Sequence, residues 1–143
     1  MTVGGKMSDQ YIAGILKNIK TIALVGASEK TDRPSYKVME YLLNQGYHVI
    51  PVSPRLAGKT VLGQPVVSQL ADIEQSVDMV DVFRNSKAAS GVAEEAVAIG
   101  AKVFWLQKGV INEEAKSLAE NAGLNVVMDR CPKIEIPRLA MEK

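Results

Sequence analysis

The sequence predicts an α/β domain on a doubly wound, mostly parallel sheet of five strands, and three observations lead there. Short apolar runs that read as strands covered on both faces alternate with segments of helical spacing. Glycine stands where the helical segments close, at Gly46, Gly100 and Gly123. Strands alternating with helices of this length imply parallel neighbours joined by right-handed crossovers.

Ser8 or Asp9 caps a first helix, whose apolar stripe is Tyr11, Ile12, Ile15, Leu16 and Ile19. The run TIALVG (21–26) is the first strand. Pro34 suits the first turn of the next helix, which carries Val38, Met39, Leu42 and Leu43 on one face and stops at Gly46. YHVIPV (47–52) is the second strand, ended by Ser53-Pro54. Residues 55–77 read as irregular, with one short extended piece near QPVV (64–67). DMVDVF (78–83) is the third strand, and a helix over 86–99 carries Ala89, Val92, Ala93, Ala96 and Val97. KVFWLQ (102–107) is the fourth strand, with Trp105 read as core. Asn112 caps a helix with Glu113 and Glu114 in its positive first turn, and Ala115, Leu118, Ala119 and Ala122 face inward. NVVMD (125–129) is the fifth strand. The expected organisation is a single domain over 8–140, preceded by a flexible leader over 1–7.

Composition narrows the function. With 143 residues the chain is long enough to bury a core of its own. Hydrophobic residues are 47% and charged residues 23%, ordinary for a soluble domain, and a net charge of +1 offers no broad field for nucleic acid or an anionic membrane. No apolar run is long enough to span a bilayer. One cysteine allows no intrachain disulfide, and one cysteine with one histidine argues against structural zinc. The N-terminus lacks an apolar secretory segment, so a cytoplasmic setting is expected and no metal is implied.

The informative stretch is the turn after the first strand, Gly26-Ala27-Ser28. In a doubly wound sheet ligands bind beyond the carboxyl ends of the strands, where strand order reverses. Small residues there allow a tight turn, and they also let free backbone N–H groups and a helix N-terminus face an anion. GxGxxG is absent. The second strand ends in Val52-Ser53-Pro54-Arg55, with no carboxylate to hold a ribose diol, which weighs against NAD. Arg55 offers a guanidinium fork suited to a phosphate monoester, as on NADP or coenzyme A, or it is an ordinary solvated loop residue.

Catalytic sets are scarce. His48 lies five residues before Ser53, at about 3.3 Å per residue roughly 16 Å from the ligand edge, and reads as structural or surface. Ser-His-Asp, HExxH, GxxxxGK[ST] and CxxC patterns are missing. Cys131, on the carboxyl edge, reads as a small buried apolar residue.

Several stretches taken together resemble a known family: TIALVGAS, Arg33-Pro34-Ser35, GYHVIPVSP (46–54), LGQPV (62–66), VDMVDVFR (77–84), WLQKGVINEEA (105–115) and GLNVVMDRCP (123–132). They resemble the small bacterial CoA-binding-domain proteins, free-standing Rossmann-like domains similar to the CoA-binding domain of the succinyl-CoA synthetase alpha subunit. The match runs over about residues 11–140 with its blocks in order. The resemblance implies coenzyme A or an acyl-CoA as ligand. It sets Gly26, Ala27 and Ser28, with Arg33 close behind, against the phosphates, and Val52, Ser53, Pro54 and Arg55 against the adenosine part. It places Phe83, Arg84, Leu106 and Gln107 along the rest of the groove. The synthetase's phosphorylated histidine belongs to a motif that His48 does not match, so ligase activity is not implied. The leading expectation is a binding protein without catalysis of its own: a sensor, a carrier or the partner of another enzyme. Two other classes stand beside it, an NADP-dependent oxidoreductase or other Rossmann enzyme, and a scaffold acting through protein contacts.

Overall fold

The computed structural model describes residues 8–143; the expected leader over 1–7 lies outside the described residues. Five strands form one parallel sheet: β1 (Thr21–Val25), β2 (His48–Val52), β5 (Met79–Val82), β6 (Val103–Leu106) and β7 (Asn125–Met128), in the spatial order β2-β1-β5-β6-β7. Two further strands, β3 (Thr60–Val61) and β4 (Gln64–Pro65), pair antiparallel as a small hairpin outside it. Helices α1 (Asp9–Asn18), α2 (Pro34–Asn44) and α5 (Pro132–Arg138) pack on one face of the sheet, and α3 (Ala89–Ala98) and α4 (Glu113–Asn121) on the other. This is the expected doubly wound, Rossmann-like architecture, with all five sheet strands parallel.

Alternation along the strands builds two apolar cores. Ile22, Leu24, Met79, Val103 and Trp105 point to the α1/α2/α5 side, and Ala23, Val25, Val80, Val82, Phe104 and Leu106 to the α3/α4 side. Ser8 caps α1, its hydroxyl accepting from the Tyr11 N–H at 3.2 Å. The Tyr11 hydroxyl then donates to the carbonyl of Val126 and accepts from its N–H, both at 3.0 Å, which covers the open edge of β7. Trp105 is fully buried, and its ring N–H donates to the Arg130 carbonyl at 2.8 Å. Cys131 is a buried free thiol at the start of α5, and His48 is exposed at the start of β2.

Three features differ from the sequence reading. The strands are a residue shorter at one or both ends; β1 and β7 stop where Gly26 and Asp129 turn the chain with φ of +97° and +63°. The stretch read as irregular holds the β3–β4 hairpin, turned by Leu62 and Gly63, both with positive φ as in the turn that suits two-residue hairpins. The helix α5 was not expected: Pro132 opens it, Pro137 lies inside it, and seven residues give no clear period. Its Arg138 bonds Glu135 at 2.7 Å and Asp9 at 2.9 Å, tying α5 to α1.

Asp81 carries a cost. It sits in β5 between Leu24 and Trp105, is fully buried, and neither carboxylate oxygen has a hydrogen-bond partner among the described residues. Burial pushes its pKa well above the ordinary carboxylate value. Asp78, three residues earlier, does the opposite job: it accepts the N–H groups of Lys20 and Thr21 at 2.9 and 3.0 Å and faces Lys102 at 3.7 Å. Partial burial pulls its carboxyl up, but those donors and Lys102 outweigh it and hold the pKa below the usual value.

Candidate functional site

Strand order reverses between β1 and β5, and a crevice opens beyond their carboxyl ends. Gly26 forms its floor. A Cβ on Gly26 would stand 2.5 Å from the Phe83 carbonyl oxygen, and the positive φ adds strain for any other residue. The glycine therefore permits both a tight turn and the close approach of the backbone after β5. The N–H groups of Gly26 and Ala27 both donate to the Val52 carbonyl, at 3.1 and 3.2 Å. These two amides thus close the turn onto β2 and do not face the crevice as free donors. The open donors come later. No protein acceptor among the described residues takes the N–H of Ser28, Ser35 or Tyr36.

The start of α2 is unusual electrostatically. Its N-cap is Arg33, which makes no side-chain cap, Pro34 follows at the first position, and no acid stands in the first turn. Cations beside the positive end of a helix are unfavourable unless an anion joins them. A pocket of about 380 Å³ opens there, lined by Gly26, Ser28, Lys30, Arg33, Pro34, Ser35, Arg55 and Phe83. Among the described residues, none of Lys30, Arg33 and Arg55 is ion-paired; the neighbouring Lys59 is, with Glu29 at 3.9 Å.

A second pocket of about 440 Å³ lies on the other side of Gly26 and Arg55, which line both. Its walls are Val25, Val52, Ser53, Pro54, Ser68, Gln69, Arg84, Val92 and Glu95. Ser53 is held from two sides, its N–H on the Val67 carbonyl at 2.9 Å and its hydroxyl accepting the Leu56 N–H at 3.4 Å. The chain thus brings Gly26, Ser28, Arg33, Val52, Ser53, Pro54, Arg55, Phe83 and Arg84 to one continuous crevice, with a cationic half and a half of mixed apolar and polar lining. Ala27 is buried beneath it. Leu106 and Gln107 line neither pocket; Leu106 is fully buried, and the Gln107 side-chain oxygen is buried without a partner among the described residues.

Lys30, Ser35, Ser68, Gln69, Val92 and Glu95 were not singled out in the sequence. Lys30 and Ser35 had a signal in their closeness to the turn. Ser68 and Gln69 had none, because a single parallel bridge between Val52 and Val67 brings them in.

The crevice thus gathers cations and open backbone donors, and the comparisons with known proteins place the chain in a family. A model of the CoA binding domain family matches residues 20–137. The chain belongs to that family. Within it, the chain is similar to the uncharacterized protein YneT of Bacillus subtilis (strain 168), 42% identical over 127 residues, which cover 89% of this chain and 93% of that one. It is also similar to a solved structure, a hypothetical protein from Pyrococcus horikoshii OT3, at 40% identity and a TM-score of 0.90 over 98% of this chain and 96% of that chain. A part of a larger protein shares the fold: the dinucleotide forming acetyl-coenzyme A synthetase 1 of Ca. Korarchaeum cryptofilum is 25% identical with a TM-score of 0.69, over 80% of this chain and 27% of that one. No described helix is long and apolar enough to cross a membrane.

Proposed function

We propose that this protein binds coenzyme A or an acyl-CoA across the crevice and does so without catalysing a reaction of its own. The observation that carries the reading is the group of three unpaired cations, Lys30, Arg33 and Arg55, around the uncapped start of α2. Such a pocket suits the phosphates of the ligand, and Ser28 and Ser35 add hydroxyls to the donor set. The more apolar pocket beside Val25, Val52 and Val92 suits the adenosine part, with Ser68 and Gln69 at its rim. Membership of the CoA binding domain family supports the same ligand. An NADP-dependent oxidoreductase shares the basic residue at the end of β2, but the family whose model spans residues 20–137 is a CoA binding domain.

Calorimetric titration decides between them. Wild type and Arg55→Ala are each titrated with CoA, dephospho-CoA and NADP. A hydrogen-bonded charge contributes about 1.5–3 kcal/mol, roughly ten- to a hundred-fold in affinity. Wild type is expected to bind CoA that much more tightly than dephospho-CoA, and Arg55→Ala to lose most of that preference. Equal preference in both proteins moves the phosphate contact to another base. Tighter binding of NADP than of CoA overturns the reading.

A further inference from the structure

The opposite, amino edge of the sheet holds a cavity of about 840 Å³, larger than either pocket of the crevice. Four separate parts of the chain wall it: the end of α1, the lead into β1, the turn between α2 and β2, and the tail after α5. Hydrogen bonds fasten these walls to one another. The Tyr47 hydroxyl donates to the Leu16 carbonyl at 2.6 Å, the His48 N–H to the Lys20 carbonyl at 2.9 Å, and the Lys143 N–H to the Gln45 side chain at 2.9 Å. The tail is aimed by the end of α5. Ala140 takes a left-handed φ of 56°, its N–H donates to the Pro137 carbonyl, and the Met141 N–H donates to the Ile136 carbonyl. That pair of bonds is a Schellman closure, in which alanine occupies the place usually given to glycine.

The lining is divided by chemistry. Tyr47 and Met141, both half-buried, supply an apolar floor over the buried Leu16 and Ile19, while Lys17, Lys20, Lys143 and His48 stand around it, and no Asp or Glu side chain is among the lining residues. Among the described residues none of the three lysines is ion-paired. The volume falls within the range of small-molecule sites.

We propose that this cavity binds a small amphiphile with one anionic head, carboxylate or phosphate, on an apolar body. The body covers the Tyr47–Met141 floor, and the head lies among Lys17, Lys20 and Lys143. This site is separate from the crevice and stands whether or not CoA binds there.

The test is a titration followed by amide chemical shifts, using octanoate, octyl phosphate and octanol as probes, on wild type, on Lys20→Glu/Lys143→Glu and on Arg55→Ala. Both lysines are exposed, so the double variant is expected to keep the wild-type spectrum away from the cavity. The two anions should saturate shifts at Tyr47, His48 and Met141, with octanol at least about ten-fold weaker. Charge reversal should weaken the anions by about ten-fold or more, as two close charges in a half-solvated site would. Arg55→Ala should bind them as wild type does. A stronger response to one head group names the source. Octanol binding as well as octanoate, shifts gathered at Ser28 and Arg55 instead, or unchanged affinity in the double variant would each overturn the proposal.

Discussion

Two loops leave the same edge of the sheet, one after β1 and one after β6, and both lead into a helix. They solve the junction in opposite ways. After β6 the chain satisfies itself: Val110 N–H donates to the Gln107 carbonyl at 2.8 Å, Gly109 N–H to Asp129 at 2.7 Å, and Ile111 N–H to the Ser86 hydroxyl at 3.0 Å. Asn112 caps α4 through the Ala115 N–H at 2.9 Å, and its amide donates to the Ser86 carbonyl and the Ser90 hydroxyl. Glu113 and Glu114 complete the first turn with the favourable sign. After β1 the helix starts with no side-chain cap, no acid and three unpaired cations nearby. A junction that closes on itself has a structural job. One that leaves donors and positive charge open is, on the function proposed above, where the ligand's phosphates would sit.

Both loops depend on the backbone of β5, which lies between them, and the largest effect is expected there. Gly26→Val should destabilise the protein by about 2–4 kcal/mol. The left-handed conformation costs a branched residue about 1–2 kcal/mol, and the contact with the Phe83 carbonyl adds an overpacking cost of similar size. Urea unfolding with an unchanged slope measures it. A variant as stable as wild type would mean that the turn can relax and that close packing does not fix the β1 loop.

Asp81 lies in β5 between the neighbours of both loops, and its raised pKa sets a second test. Because the folded state holds the proton more tightly than the unfolded chain, the contribution of this group is largest below the unfolded value near 4 and declines as pH rises above it. Replacing Asp81 by Leu removes a buried polar group without partners, so a gain of about 1–3 kcal/mol is expected at neutral pH, shrinking toward pH 4. Denaturation across pH 4 to 8 for both proteins gives the difference. A variant that loses stability at neutral pH would show that Asp81 has a polar partner in solution, and the cores on the two sides of β5 would then not be equally dry.

Much of this contrast is legible in the sequence, and the reasons are local. Asn112 followed by two glutamates announces a closed helix start, and Pro34 with no acid after it announces an open one. Buried apolar runs fix the strands because both faces are covered, so no alternative period competes. The turn at Gly26 is legible as a close approach, but not the direction of its amides, because the acceptor on Val52 comes from another strand. Asp81 was read as a strand residue only, since a lone acid in an apolar run gives no sign of whether a partner waits in space. The hairpin and α5 escape because strands of two residues and a helix of seven carry too few periods to read.

Asn112 supplies the smallest effect and the sharpest division between the loops. Asn112→Ala removes the cap of α4 and the bonds to the Ser86 carbonyl and the Ser90 hydroxyl, at a cost of about 1–2 kcal/mol. The crevice takes no residue from this loop, so CoA affinity is expected to stay within a few-fold of wild type once the variant is compared at a temperature where it is folded. Unfolding and titration on the same preparation separate the two quantities. Loss of affinity without loss of stability would reverse the assignment. It would make the loop after β6 part of the site and bring Gln107, whose buried oxygen has no partner among the described residues, to the ligand.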